Sequence, residues 1–191
     1  MKQIDAILLA AGLSRRYGRE NKLLLPFRGV PLVERALSLA VGLGSFARIL
    51  IVCSDPEVME IARRYPLEII VNEHPEDGIS ESIRLGVSSS SGEYYLFLPC
   101  DQPLLDGQTV SNVLEAASPS RIVCPVWSGA RGSPVLFSAE YRRQLLSLPK
   151  GRGGKVIMEK YPECVNEVEA SCREALMDID TEDQAKVIMT L

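Results

Sequence analysis

Residues 4–12 of this chain read IDAILLAAG, an apolar run that ends in small residues and a glycine. Similar runs, rich in Ile, Val and Leu, recur along the chain and are too continuous for strands with one face in water. Such runs are typical of strands buried on both faces of a largely parallel sheet. The predicted strands are Ile4–Leu9, Arg48–Cys53, Leu67–Asn72, Tyr94–Pro99, Ile122–Val126 and Pro134–Phe137.

Helical patterns alternate with these strands, and most of them begin at a recognisable start signal. This alternation predicts an α/β fold, a three-layer, Rossmann-like, mostly parallel sheet with helices on both faces. A short strand is expected to end at Asp178–Asp180, and a last helix is expected to open at Thr181. The other predicted helices are Leu32–Leu43 after Pro31, Glu57–Tyr65 after Asp55 and Pro56, Ser80–Val87, Ala139–Leu148 after Ser138, and one entered through Lys150–Lys155.

The composition is that of an ordinary folded protein. The 191 residues are 46% hydrophobic and 24% charged with a net charge of -4, which excludes a basic nucleic-acid-binding protein and a disordered chain. One domain over residues 1–191 is expected, because two domains would both be small. The apolar stretch at residues 6–11 is too short for a signal peptide or a spanning helix. We therefore expect a cytoplasmic protein without membrane contact, with its five cysteines as free thiols.

Ligands of open α/β sheets bind beyond the carboxyl ends of the strands, and the loop after the first strand concentrates positive charge there. Small residues such as Gly12 let the backbone approach a ligand, and the N–H groups of such a loop can bind phosphate. The loop therefore predicts a phosphate site, with a solvated basic loop as the alternative. A Walker A loop is excluded, because no Gly-Lys-Ser/Thr follows the glycines. Against the single acid Glu20, the loop holds the cations Arg15, Arg16, Arg19 and Lys22.

An acidic residue, Asp101, follows the predicted strand Tyr94–Pro99 directly after Cys100. A carboxylate at the tip of a buried strand is costly to desolvate unless a cation faces it, and a magnesium ion that bridges phosphates is such a cation. Asp101 is therefore a candidate metal ligand. The alternative is that Asp101 only caps a turn before Pro103.

The loop after Asn72 leads into a predicted helix with Ser80 and Ser82 near its start. These hydroxyls could donate to a base or a phosphate at the helix N-terminus, and ordinary capping by Ser80 explains them nearly as well. His74 is the only histidine of the chain, which excludes a Ser-His-Asp triad and a zinc site with several histidines. His74 is expected to be a surface residue.

Three later segments carry further candidate residues. Arg131 and Gly132 precede the strand at Pro134, and Lys150–Lys155 holds three cations and three glycines, which is typical of a second anion site or of a flexible surface turn. Asp180 precedes Thr181, whose pattern favours helix capping, so Asp180 is either a functional acid or part of that cap.

The ordered motifs of the chain resemble those of the molybdopterin-guanine-dinucleotide-synthase-like nucleotidyltransferases. The first motif is LAAGxSxRxGxxxK, from Leu9 to Lys22. The later motifs are similar in order and spacing to the molybdenum cofactor cytidylyltransferase subgroup, and the resemblance spans nearly the whole chain. They are Asn72–Gly78 with Ser80 and Ser82, Asp101-Gln102-Pro103, Arg131-Gly132-x-Pro134, and Asp178-Ile179-Asp180-Thr181.

This resemblance implies a sheet of the nucleotide-diphospho-sugar transferase type and a magnesium-dependent transfer of a nucleotidyl group with release of pyrophosphate. It implies catalytic roles for Arg16, Lys22 and Asp101. It also implies that Asp101 binds the metal, with Asp180 as a second candidate ligand. The implied acceptor-binding residues are Arg131, Gly132, Lys150, Arg152 and Lys155. The implied nucleotide-binding residues are Leu9, Ala10, Ala11, Gly12, Ser14, Arg15, Arg16, Lys22, Asn72, Gly78, Ser80 and Ser82.

The implied substrates are a nucleoside triphosphate, with CTP favoured, and a molybdopterin-type acceptor, whose product would pass to a recipient molybdenum enzyme. Guanylyl or other nucleotidyl transfer to a pterin, a phosphosugar or a small phosphorylated acceptor is the first alternative. Cytidylyltransferases commonly read Gly-Asp-x-Gly before the late helix, where this chain has Lys150–Gly153, and commonly have His where it has Ser133. The missing acid motivates a second alternative, a non-catalytic accessory protein that handles the cofactor for a molybdenum hydroxylase.

Overall fold

The computed structural model describes residues 2–12 and 21–191, and eight strands of these residues form one sheet. The strand order is β10-β7-β9-β6-β1-β4-β5, with β8 paired to β7, while β2 and β3 form a separate hairpin. The strands are β1 Ile4–Ala10, β2 Pro26–Phe27, β3 Val30–Pro31, β4 Arg48–Cys53, β5 Glu68–Val71, β6 Tyr94–Pro99, β7 Ile122–Trp127, β8 Ala130–Arg131, β9 Val135–Ser138 and β10 Val165–Glu169.

Seven α-helices lie within the described residues, joined in places by short 3-10 turns. The turns are Lys22–Leu24, Pro75–Asp77, Ala139–Tyr141, Pro162–Cys164 and Glu174–Leu176. The helices are α1 Leu32–Leu43, α2 Pro56–Ala62, α3 Ile79–Ser89, α4 Gly107–Glu115, α5 Arg142–Leu146, α6 Lys155–Lys160 and α7 Glu182–Met189.

The sheet is mostly parallel, as predicted. β1 runs parallel to both β4 and β6, β5 is parallel to β4, and β10 is parallel to β7. β9 runs antiparallel between β6 and β7. The short connection from β7 explains this direction, because a parallel neighbour needs a crossover of a dozen or more residues.

Helices cover both faces of the sheet, which confirms the three-layer prediction. Alternate side chains of β1 point to opposite faces, so Leu8 packs in one cluster with side chains of α1, α2 and α4. Its neighbour Ile7 packs in a second cluster with Ile83 and Val87 of α3, and with side chains of α5 and α6. The apolar runs read as buried strands therefore form the middle layer.

Four predicted elements differ from the structure. β5 is an edge strand with Val71 half exposed, so the expectation that every run is buried on both faces is wrong there. α2 ends at Ala62 rather than Tyr65, in a turn with i to i+3 hydrogen bonds. Residues 139–148 split into a 3-10 turn and α5, and the Ser147 hydroxyl donates to carbonyls of the last helical turn. The strand expected at residues 178–180 is absent from the described structure, where these residues belong to no helix and to neither sheet.

The start signals of the helices are largely confirmed. The Asp55 carboxylate accepts from the Glu57 and Val58 amides at the start of α2, and Thr181 forms a capping box with Gln184 at the start of α7. All five cysteines are free, and burial raises the pKa of the Cys53 thiol to about 11. No helix within residues 2–12 and 21–191 has the length and apolar character needed to cross a membrane.

Candidate active site at the carboxyl ends of β1 and β6

A cleft of about 1180 Å³ opens beyond the carboxyl ends of β1 and β6, where open α/β sheets bind ligands. The predicted nucleotide-binding residues Leu9, Ala11, Gly12, Gly78 and Ser82 line part of this cleft, which we call the nucleotide end after that prediction. The predicted acceptor residues and their neighbours also line it, and we call their part the acceptor end: Arg131, Gly132, Gly153, Gly154 and Lys155. The fold therefore brings most of the dispersed candidates to one cavity.

Lys22 lies between two carboxylates in this cleft. Its Nζ donates to Asp101 Oδ2 at 2.6 Å and to Asp180 Oδ1 at 2.8 Å, and its side chain is only 12% exposed. Burial lowers the pKa of the ammonium, but the two carboxylates outweigh it, so the pKa lies above its usual value. The group is therefore a positively charged amine held at the meeting point of two acids.

Three segments that are far apart in the chain deliver this cluster. Lys22 opens a 3-10 turn whose preceding residue, Asn21, accepts a hydrogen bond from the Leu23 amide. Asp101 follows β6, and its carbonyl accepts from the Ile179 amide at 3.0 Å, which brings Asp180 beside it. Asp180 is thus more than a helix cap, because its side chain contacts Lys22 in the cleft.

A third acid, Asp178, lies in the same electrostatic field. Partial burial raises the pKa of Asp178, and the negative charges of Asp101 and Asp180 raise it further. These three carboxylates together carry more negative charge than the single Lys22 ammonium neutralises. This excess of negative charge favours the binding of an additional cation.

Asp101 and Asp180 fit a divalent cation that also binds phosphates. Their carboxylate oxygens converge on the point that the Lys22 ammonium now takes, so the ammonium stands in for a cation. Within the two described ranges, no group of three or more His, Cys, Asp or Glu is arranged to hold a metal. Magnesium commonly uses one or two carboxylates together with waters and substrate phosphates, so two acids are enough when a triphosphate is bound.

The nucleotide end has a tightly packed floor. Ala10 and Ala11 are buried at the end of β1, and a Cβ placed on Gly12 would meet no atom of the described residues within 4 Å. Asn72 is buried, and its Nδ2 donates to Ser82 Oγ at 3.2 Å. The predicted residues Ser14, Arg15 and Arg16 lie outside the described residues.

Ser80 does not have the position expected from the sequence. The N-cap of α3 is Gly78, so the alternative that Ser80 caps this helix is wrong. The buried Ser80 hydroxyl donates to the Asp77 carbonyl at 3.2 Å and accepts from the Gly151 amide at 2.9 Å. Both of its hydrogen bonds therefore stay within the protein, and it is not among the described residues that line the cleft.

The acceptor end is bordered by exposed ion pairs. Arg131 pairs with Glu167 at 2.6 Å, and Lys155 faces Glu159 at 3.9 Å, with side-chain exposures of 41% or more. Lys150 pairs instead with Asp77 at 2.5 Å, and neither it nor Arg152 is among the described lining residues. The structure therefore groups Arg131, Gly132 and Lys155 in the cleft but places Lys150 and Arg152 beside it.

Two glycines shape the floor of the acceptor end. A Cβ on Gly154 would lie 2.7 Å from the Phe137 ring, and one on Gly132 would lie 3.0 Å from Leu176. The contact at Gly154 is too close for any side chain, so glycine is needed there, whereas a Cβ at Gly132 would require the Leu176 side chain to shift by a few tenths of an ångström.

Several residues that line the cleft were not among the predicted site residues. Gln102 lines the cleft, and its side-chain amide donates to the Leu176 carbonyl at 3.3 Å. Its position next to Asp101 was a usable signal. Glu167 and Phe137 also line the cleft, but Glu167 lies in a stretch without a predicted element and Phe137 in an apolar run that indicates only a strand.

The chain is similar to several characterised proteins. A family model described as a MobA-like NTP transferase domain matches residues 6–165. Nicotine blue oxidoreductase of Paenarthrobacter nicotinovorans is 29% identical, over 95% of this chain and 94% of the relative. A probable molybdenum cofactor guanylyltransferase of Methanothermobacter thermautotrophicus is 30% identical, over 94% and 91%. The molybdenum cofactor cytidylyltransferase of Escherichia coli is 26% identical, over 96% and 94%.

Solved structures share the fold. A nucleotidyl transferase from Methanothermobacter superposes with a TM-score of 0.88 at 23% identity, over 98% of this chain and 96% of that one. A Mycobacterium tuberculosis protein in complex with manganese gives 0.80 at 21% identity, over 98% of both chains. The predicted fold type and the resemblance in the motifs are confirmed: the chain belongs to the MobA-like NTP transferase family, and its relatives include proteins named molybdenum cofactor guanylyltransferase and cytidylyltransferase.

Proposed function

We propose that this protein is a magnesium-dependent cytidylyltransferase that joins CMP from CTP to molybdenum cofactor and releases pyrophosphate. The observation that carries the proposal is the meeting of Lys22, Asp101 and Asp180 in the cleft. A cation and two acids at that point suit a triphosphate with its metal on one side and a phosphorylated acceptor on the other. The reaction is proposed for the cytoplasm, and the product for a recipient molybdenum enzyme.

In the proposed reaction, a phosphate oxygen of the acceptor attacks the α-phosphorus of CTP. A new P–O bond forms, the bond from the α-phosphorus to the bridging oxygen breaks, and pyrophosphate leaves with the electron pair. Positioning and neutralisation of charge supply most of the catalysis in such a displacement, so no protein nucleophile is needed. Bound magnesium would supply charge neutralisation and orientation of the phosphates, held by Asp101 and Asp180.

The chain's own residues have distinct proposed roles. Lys22, released from the carboxylates, would bind phosphate oxygens through charge-assisted hydrogen bonds. Asn72 would fix Ser82, whose hydroxyl lines the cleft, as a contact for the base. Arg131 and Lys155 would face the anionic groups of the acceptor.

The choice of CTP is supported by the order of the motifs and by the cytidylyltransferase of Escherichia coli, which aligns with nearly the whole chain. Guanylyl transfer is the second candidate, because the guanylyltransferase of Methanothermobacter thermautotrophicus is slightly more similar. Both candidates use the same cation cluster and differ only at the nucleotide end.

The decisive experiment measures pyrophosphate release with magnesium and molybdenum cofactor, with CTP, GTP and ATP offered separately. Release with CTP alone is the expected result, and release with GTP alone would establish guanylyl transfer instead. Tight nucleotide binding without release from any of the three would contradict transfer to this acceptor and favour the accessory role. Asp101→Asn protein is the blank.

The relative named as nicotine blue oxidoreductase gives the experiment a further arm. NADH and NADPH are offered with an oxidised chromophore in place of the triphosphate, and their absorbance at the nicotinamide band is followed. No oxidation is expected. Rapid oxidation without pyrophosphate release in the first assay would replace the transferase proposal with a redox one.

A further inference from the structure

A compact junction joins the start of α3 to the loop before α6. The Gly151 amide donates to the Asp77 carbonyl at 3.0 Å and to Ser80 Oγ at 2.9 Å, and the Ser80 hydroxyl closes the triangle by donating to Asp77. Lys150 adds an ion pair to the Asp77 carboxylate. We call these residues, Asp77, Ser80, Lys150 and Gly151, the junction.

The backbones at the junction are in close contact. Gly78 and Gly151 both have positive φ, +77° and +73°, and a Cβ on Gly78 would lie 3.0 Å from the Gly151 Cα. Conformations with φ in this range favour glycine. Both loops therefore have a glycine, without a side chain, at the point where they touch. One loop cannot shift far without moving the other.

Both sides of the junction continue into segments that line the cleft. On the α3 side, Ser82 lies two residues after Ser80 and lines the nucleotide end. On the other side, Gly153 and Lys155 follow Gly151 and line the acceptor end. A Cβ on Gly153 would lie 3.7 Å from the Ile79 side chain, so a second contact runs alongside the junction.

Ser80 is the buried member of this junction, with 1% of its surface exposed. Its hydroxyl uses its proton and one lone pair on the two loops, so it is occupied by structure rather than left to face a ligand. Without it, the Gly151 amide keeps only the Asp77 carbonyl, and the exposed Lys150–Asp77 ion pair is the side-chain link that remains between the α3 side and the acceptor loop.

We propose that Ser80 is a positioning residue through which nucleotide binding at α3 orders the acceptor loop, residues 150–155. This inference deepens the proposed function and rests on it for the identity of the two substrates. CTP that contacts Ser82 would steady the start of α3, and the junction would pass that order to the loop that meets the acceptor. The expected kinetic consequence is that Ser80 governs KM for the acceptor and has little effect on CTP affinity.

The test combines hydrogen exchange with kinetics on the full chain. Magnesium and CTP are added to the wild-type protein, and amide exchange is followed in a peptide that covers residues 150–155. We expect exchange to slow when the nucleotide binds. In Ser80→Ala, the factor by which exchange slows should be smaller than in wild type by roughly three- to tenfold, the range that one hydrogen bond supplies. KM for molybdenum cofactor should rise by a similar factor, with Kd for CTP within about twofold.

Ser88→Ala is the matched control, the same substitution at an exposed position of the same helix. It should leave the exchange response and both substrate constants unchanged. If Ser80→Ala does not fold, Lys150→Ala replaces it, because the Lys150 side chain is 71% exposed and its removal should not disturb folding. Loss of its ion pair should weaken the slowing of exchange by about twofold. Lys150→Arg should restore the response.

The outcomes separate this inference from the proposed function. If CTP binds to the wild-type protein and residues 150–155 do not respond, the inference is wrong even when pyrophosphate is released. If they respond and Ser80→Ala removes the response, the inference stands even when the acceptor proves to be a different molecule. A parallel rise of Kd for CTP and KM for the acceptor in Ser80→Ala would show general loosening and overturn it.

Discussion

The two ends of the cleft are built differently. At the nucleotide end, the polar groups are buried or partly buried and tied to one another, as in the bond between Asn72 and Ser82 and in the cluster around Lys22. At the acceptor end, charges lie on exposed side chains that pair across the surface, such as Arg131 with Glu167.

This difference has a physical reason. Removing one partner of a buried ion cluster strongly destabilises the folded protein, because a charge is left buried without its partner. The side chains of such a cluster are therefore held in fixed positions. An exposed ion pair contributes little to stability and can rearrange around a ligand. Under the proposed function, the nucleotide end would hold the triphosphate in one fixed geometry, and the exposed pairs of the acceptor end would rearrange around the second substrate.

The largest effect is expected at the centre of the nucleotide end. Asp101→Asn keeps the size of the side chain but removes the charge that Lys22 contacts and that a metal would use. Pyrophosphate release should fall by roughly a hundredfold or more, comparable to the loss of one group that stabilises a transition state. Asp183→Asn, on an exposed acid of α7, is the control and should keep full activity. Full activity of Asp101→Asn would remove the metal role.

A smaller effect, with opposite signs for two ligands, is expected from Lys22→Met. Charge-assisted hydrogen bonds are worth about 1.5–3 kcal/mol, so CTP affinity should fall by about tenfold or more. Manganese without nucleotide should bind more tightly, because the ammonium no longer competes for Asp101 and Asp180. Calorimetry with each ligand, with Lys186→Met as the exposed-lysine control, measures both. Weaker manganese binding would contradict the competition.

The acceptor end should tolerate a comparable loss of charge. Arg131→Ala breaks an exposed pair, so the free energy of unfolding should stay nearly the same. KM for the acceptor should rise a few-fold, and CTP affinity should not change. Denaturant unfolding and initial rates with varied acceptor check these values. A loss of CTP affinity would show that the two ends are not separate.

The smallest effect concerns Asp178, whose raised pKa makes its ionisation unfavourable in the folded state. Between the ordinary pKa and the raised one, the folded state binds more protons than the unfolded state, so stability falls as pH rises through that window. Asp178→Asn should therefore be more stable than wild type at pH 7, by about 0.5 kcal/mol for such a partly exposed group. The gain should vanish below the ordinary carboxyl range. Thermal unfolding at pH 7 and at pH 3 tests this, and a gain that persists at pH 3 would refute it.

Much of the fold could be predicted because its central elements follow local rules. α1 has the predicted limits, from the residue after Pro31 to the residue before Gly44, which is left-handed. α4 was not predicted, because its start at Asp106 and Gly107 looks like a turn, although Asp106 accepts from the Thr109 amide as an N-cap. β10 was also not predicted, because its exposed Asn166, Glu167 and Glu169 interrupt the apolar pattern.

The sequence predicted individual residues of the site better than the contacts between them. The sequence marks Lys22 and Asp101 by charge and position, but their direct contact depends on how the loops fold back. Likewise, a serine near a helix start gives no sign of whether it faces a ligand or another loop. Ser82 and Ser80 illustrate the two outcomes, since only the first lines the cleft.

The Ile179 amide donates to the Asp101 carbonyl and so brings Asp180 to the site from near the end of the chain. The site can therefore be completed only after most of the chain has been synthesised. The last strand of the sheet ends at Glu169, so a nascent chain can form every layer before residue 180 has emerged. Ile179, Ala185 and Ile188 then pack on Phe27 and Leu32 as a final patch. The acid pair is thus assembled last, and a growing chain holds Lys22 and Asp101 before it can hold a metal between two carboxylates.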